Sequence, residues 1–213
     1  MYWNCRRGRW VVRLPDKTPT TEDFTKLGAI IKLDVYDQLS KASFCGLLFD
    51  EEDLEIIADP YKIFCNFSWL NSRYFKSRDS KVKMLLRCKA LSFKCQYPAC
   101  PMVTALADYM LRMTRSIDVR GFAKSRRDLD SWTRNQLLDA VAYDWRNDHR
   151  EIGMNTRLLY EELYNISVED QIRVESYLAN LNCVQPLDIP VIQDQSPESW
   201  KVNYDRYVDA VGS

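Results

Sequence analysis

The sequence has one histidine, His149, among 213 residues. One imidazole cannot build a multi-histidine metal site, and it is the only histidine base open to a catalytic triad. It sits beside Asp148 at a predicted helix end, where an imidazole reads as a capping group. P-loop, GxGxxG, GxSxG and HExxH patterns are all missing. Six glycines and eight prolines exclude a fibrous or low-complexity chain. Long apolar runs are missing too. The most apolar stretch, LGAIIKLDVY, is broken by Lys32 and Asp34, so no membrane span is expected. The opening MYWNCRRGRW is too polar for a signal-peptide core. Without an export signal, the seven cysteines are expected as reduced cytosolic thiols. Cys88, Cys95 and Cys100 match no zinc spacing. Cys100 precedes a predicted helix N-terminus but has no histidine to activate it. Asp128 and Asp130 suit the start of a helix better than a metal pair. No enzyme, metal or cofactor is expected.

What is present is a core and an uneven charge distribution. Apolar residues make up 46% of the chain, which suits one domain with tails. Formal net charge is zero, yet residues 1–150 hold 26 Lys and Arg against 19 Asp and Glu, net +7. Residues 151–213 hold four against 11, net −7. A basic body attracts phosphate backbones, and an acidic part faces elsewhere.

The pattern predicts a mainly α fold. Residues 1–19 form a basic arm carrying Arg6, Arg7, Arg9 and Arg13, with a strand expected at WVVRL. A first helix is expected from Thr20, with Asp23 completing a capping box and Phe24, Leu27, Ile31, Val35 and Leu39 as its stripe. A second is expected after Asp50 and broken at Pro60; YKIFCNFSWLNSRYF reads as a third, buried one. SKVKMLLRCKALSFKC reads as extended, with one or two short strands. Helices follow over 101–117 and through RRDLDSWTRNQLLDAVAYDWRND, where Leu138, Val141 and Trp145 form the stripe. Gly153 breaks the pattern, RLLYEELY resumes it, and Ser167 with Asp170 caps another helix. SPESWKVNYDRYVDAV suggests a terminal helix with Pro197 at its first position. The expected organisation is a basic arm over 1–19, a helical-bundle core over 20–165 and an acidic extension over 166–213.

Arginine geometry is the remaining chemistry. Arg112 and Arg115 lie near the end of one predicted helix, and Arg126, Arg127 and Arg134 near the start of the next. If those helices are antiparallel neighbours, five guanidiniums converge. Guanidinium is the side chain best shaped to clamp phosphate, and Asp130 can accept from a ribose hydroxyl. The competing reading is a surface network with Asp108, Asp118, Asp128 and Asp130.

Residues 93–119, FKCQYPACPMVTALADYMLRMTRSIDV, resemble the middle of the coat-protein family of tobacco mosaic virus and its rod-shaped relatives. The matching positions are Phe93, Lys94, Pro101, Val103, Thr104, Ala105, Leu106, Arg115, Ile117, Asp118 and Val119. The family's arginine pair with nearby aspartates looks like Arg126, Arg127, Asp128 and Asp130. Its later structural motif looks like Arg157, Tyr160 and Glu161, with Tyr where Phe is usual. Two departures stand out. Met113 replaces one arginine of the family's close pair, and the inner segment from Arg120 to Ser125 is short, leaving Asp118 as the one matched carboxylate. The resemblance implies an antiparallel four-helix bundle with a small β element. It implies a capsid protein that forms an open helical filament around single-stranded genomic RNA, in a virion in the host cytoplasm, contacting RNA through Arg112, Arg115, Arg126, Arg127, Asp130 and Arg134. The alternatives are a helical RNA-binding regulator, such as a silencing suppressor, and a protein-interaction module without nucleic acid.

Overall fold

A computed structural model describes residues 2–4, 9–11, 19–43, 46–67, 69–70, 74, 76–125, 131–143, 150–199, 201–202 and 206. These are mainly helical, with short antiparallel strand pairs. Contacts divide the chain into two compact units, Met1–Asp37 and Gln38–Ser213. The division falls inside the stretch expected to open the bundle.

In the first unit β1 (Tyr2–Asn4) pairs antiparallel with β2 (Arg9–Val11), setting Trp3 opposite Trp10. α1 (Thr21–Lys26) starts where the sequence predicted, and the Thr20 N–H donates to Asp23 Oδ2 at 2.9 Å. It ends much earlier than expected. Gly28 takes φ +79°, its N–H bonds Thr25 O at 2.9 Å, and the Ala29 N–H bonds Phe24 O at 3.0 Å. That is a Schellman closure, and the glycine made it cheap. The expected stripe therefore does not form one face: Leu27 is 82% and Val35 66% exposed.

The second unit opens with a 3-10 turn at Leu39–Lys41 and the hairpin of β3 (Leu47–Phe49) and β4 (Ile56–Ala58). The helix expected after Asp50 is absent. The Asp50 carboxylate instead accepts from the Glu52 N–H at 3.0 Å, and the Asp50 N–H bonds Glu55 O at 2.9 Å, closing the hairpin turn. Pro60, expected to break a helix, starts one. α2 (Pro60–Asn66) has Pro at its first turn and Asp59 Oδ1 accepting from the Lys62 N–H at 3.2 Å. Most of the helix expected beyond Asn66 lies outside the described residues.

α3 (Asp79–Gln96) corrects the expectation of strands over this stretch. No Gly or Pro interrupts it, and its buried residues, Arg87, Cys88, Ala90, Leu91 and Lys94, recur at helical steps. Two of those five are cationic, which hid the apolar face. α4 (Val103–Met113) follows and buries Val103, Leu106, Ala107 and Met110 completely. At its N-cap Met102 has φ 59° and ψ −37°, the centre of a γ-turn closed by the Val103 N–H on Pro101 O, a sparsely populated conformation costing on the order of 1–3 kcal/mol. Complete burial of Met102 and a 3.0 Å bond from its N–H to Glu175 Oε1 offset that cost.

α5 (Arg120–Ser125) and α6 (Ser131–Ala142) follow; Trp145 of the predicted long helix lies outside the described residues. α7 (Met154–Tyr164) starts at Gly153, where a Cβ would collide with the Asp53 carboxylate. α8 (Val168–Asn180) begins with the expected cap, the Asp170 N–H donating to Ser167 Oγ at 3.1 Å. α9 (Pro190–Gln195) closes the series, and most of the expected terminal helix lies outside the described residues. α4 packs between α3 and α8; α6 covers α3, α7 lies on α8 and α9 on α2. Val174, Leu178, Ile189 and Ile192, from the segment expected as an extension, join the shared core.

Candidate functional site

The chain leaves α4 through Thr114, whose hydroxyl and N–H both bond Met110 O, at 2.7 and 3.1 Å. Below this helix end lies the buried Arg87 of α3. Its Nη1 donates to Leu111 O at 3.2 Å and Thr114 O at 2.9 Å, so a guanidinium neutralises the carbonyl end of α4. The backbone turns outward at Arg115 and re-enters a helix at Arg120, whose N–H bonds Asp118 Oδ1 at 2.9 Å.

Between these elements is an open cleft of about 560 Å³, its polar lining including Arg87, Arg115, Asp118, Arg120 and Tyr143. Arg115 and Arg120 are exposed, and neither guanidinium has a partner among the described residues. The Tyr143 hydroxyl is buried and has no hydrogen-bond partner among the described residues. The cleft therefore offers two free guanidiniums beside a cation held on carbonyls, with one carboxylate. Such a lining attracts an anion that accepts several hydrogen bonds at once.

The other sequence-predicted residues lie elsewhere. Arg112 is turned away from the cleft: its Nη2 donates to Leu178 O at 2.8 Å and Leu181 O at 3.0 Å, capping the end of α8, and its guanidinium lies 5.9 Å from the Tyr109 ring centroid. Arg134 is in the first turn of α6, whereas the cleft is walled by Val141 and Ala142 at the far end of that helix. Its Nη2 donates to Lys124 O at 3.2 Å, and its Nε is buried without a partner among the described residues. Arg126, Arg127 and Asp130 lie outside the described residues. The structure thus brings Arg115 to the cleft and sets Arg112 and Arg134 apart from it.

Arg157, Tyr160 and Glu161 share α7 but do separate things. Arg157 forms a two-pronged ion pair with Glu175, Nη2 to Oε2 at 2.8 Å and Nη1 to Oε1 at 3.0 Å. Tyr160 is fully buried beside Cys100. Burial pushes the Cys100 thiol up to about 12, which keeps it protonated and unreactive. Glu161 Oε2 accepts from the Val168 N–H at 3.2 Å, at the start of α8.

Sequence reasoning missed Arg87 and Arg120. Arg87 fell in a stretch read as extended, although its helical spacing with Leu91 and Lys94 was there to find. Arg120 fell in what looked like a linker. Among the described residues no group of three or more His, Cys, Asp or Glu is placed to hold a metal ion, and no helix is long and apolar enough to cross a membrane. No family model, curated protein or solved structure matches this chain.

Proposed function

We propose that this chain is a structural coat protein that assembles helically around single-stranded RNA, forming a rod-shaped particle in the host cytoplasm, with α6, α3, α4 and α8, packed in that order, as its four-helix bundle. The observation that carries this reading is the pair of exposed guanidiniums of Arg115 and Arg120 on one cleft, without a partner among the described residues, while Arg87, Arg112 and Arg157 are engaged by carbonyls and carboxylates. Two free guanidiniums per subunit give weak, sequence-tolerant phosphate binding, and repetition along a strand makes it strong. The basic stretch from Lys76 to Ser125, with 11 Lys and Arg against three Asp and Glu, adds long-range attraction. The ordered resemblance over residues 93–162 supports the same conclusion.

Purified protein mixed with single-stranded RNA at low salt is expected to form rods under negative-stain electron microscopy. Replacing Arg115 and Arg120 with Ala leaves the helical circular-dichroism signal intact and lowers the salt slope of RNA binding by about 1.4, at roughly 0.7 per phosphate contact on a single strand. A protein without RNA affinity at low salt refutes the reading. The interaction-module alternative draws its support from the internal engagement of Arg112 and Arg157, and it predicts unchanged mobility of labelled RNA across a salt series.

A further inference from the structure

The strongest charge feature outside the arginine cleft is its opposite. Between the turn after β3 and the outer face of α7 runs a groove of about 290 Å³, lined by Asp50, Glu51, Glu52 and Glu162 over a floor of Leu158 and Leu159, with no lysine or arginine in its walls. Asp50 is buried and accepts from Thr156 Oγ1 at 2.6 Å. Glu51, Glu52 and Glu162 form no ion pair among the described residues. The floor continues outward: Leu158 is 53% exposed, and Met154, one turn earlier on the same face, is 60% exposed. Free carboxylates around an apolar floor suit a long cationic side chain, whose methylene stem lies on the leucines while its head meets the carboxylates.

We propose that the occupant of this groove is the arginine cleft of a second copy of this chain. Charge complementarity selects it. Lys76–Ser125 is net +8, and Glu151–Ser199 carries two Arg against nine Asp and Glu, net −7. Among the described residues Arg115 and Arg120 are cations without a partner, and the groove's glutamates are anions without an ion pair. The two surfaces share no residue and belong to one compact unit, so they meet only between copies. A contact between different patches made once per copy is heterologous and runs head to tail, into a ring where the rotation closes and a filament where it does not. Carboxylates and RNA phosphates then compete for the same guanidiniums, and the contact belongs to the RNA-free protein. The contact goes beyond the reading above, because RNA displaces it, and its decisive arms contain no RNA.

The test is a charge swap followed by sedimentation velocity. Wild-type protein without RNA associates in a concentration-dependent way at low salt and disperses as salt is raised, since exposed charges are screened. E51K/E52K/E162K has a basic groove and a basic cleft, and R115E/R120E has an acidic groove and an acidic cleft, so each alone is monomeric. Mixed in equal amounts, they associate again, because each cleft now faces a groove of opposite sign. The milder E51Q/E162Q weakens wild-type association about tenfold with helical content unchanged, which separates lost contact from lost fold. Adding a short single-stranded RNA disperses the wild-type protein. A wild-type monomer at low salt, association indifferent to the glutamate changes, or a mixture that stays monomeric overturns the contact. If RNA never binds while the swapped pair still associates, the coat-protein reading fails and the contact stands.

Discussion

α3 to α5 and α7 to α9 are built from the same kind of helix and use arginine in opposite ways. In the acidic region each arginine meets carboxylates: Arg157 pairs with Glu175, and Arg173 with Glu169 at 2.8 Å and Asp170 at 2.6 Å. In the basic region carboxylates are too few. Lys94 takes Asp108 at 3.0 Å, and the arginines turn to backbone. Arg87 closes the end of α4, and Arg112 reaches across to close α8. Among the described residues Arg115 and Arg120 are left with neither. Arginine alone therefore says little about function. Its local supply of acceptors decides whether it caps, pairs or remains available.

Three measurements break or sharpen this contrast. The largest effect is expected at Arg157, whose pair with Glu175 is only 13% and 18% exposed. Arg157→Ala leaves a carboxylate mostly buried without its partner and lowers stability by about 3 kcal/mol in urea denaturation. Arg173, 67% exposed, is its control, and Arg173→Ala changes stability by at most about 0.5 kcal/mol. Equal losses at the two sites would erase the distinction between buried and surface pairing.

A smaller effect is expected at Arg112. Arg112→Ala leaves two carbonyls at the end of α8 without their donor and costs about 1–2 kcal/mol. Hydrogen exchange should speed up over Leu178–Leu181 and remain unchanged in α6. Uniform protection would mean that the cap holds nothing.

The smallest effect is confined to acid. Asp53 accepts from the Thr156 N–H at 2.9 Å and the Asn155 side chain at 3.0 Å, and these bonds hold its carboxyl below the ordinary carboxylate value, the backbone bond more than the side chain. Because the folded value is the lower one, its stabilisation is full above the unfolded value and is lost as pH falls through the folded value. Thermal melts should show an acid limb below about pH 4 that flattens in Asp53→Asn. An unchanged limb would assign acid sensitivity to other groups.

Local signals were readable where short-range chemistry decides. The caps at Thr20 and Ser167 rest on contacts within three residues. Reading failed where a distant partner changed a residue's meaning. Arg87 and Lys94 stood in a stretch that read as extended, and α4 supplied the carbonyls and Asp108 that bury them in a helix. Asp50 looked like a helix cap until Glu55 and Thr156 claimed it. Leu27 and Val35 looked like a helix face until Gly28 closed the helix beneath them.

The sequence by itself determined that this chain is mainly helical, holds a single histidine and is divided into a basic and an acidic part, because composition and spacing act locally and add along the chain. Only the tertiary structure decided which arginines are free. An acceptor 66 residues away takes Arg112, and nothing among the described residues takes Arg115, because hydrogen-bond partners are chosen by distance in space.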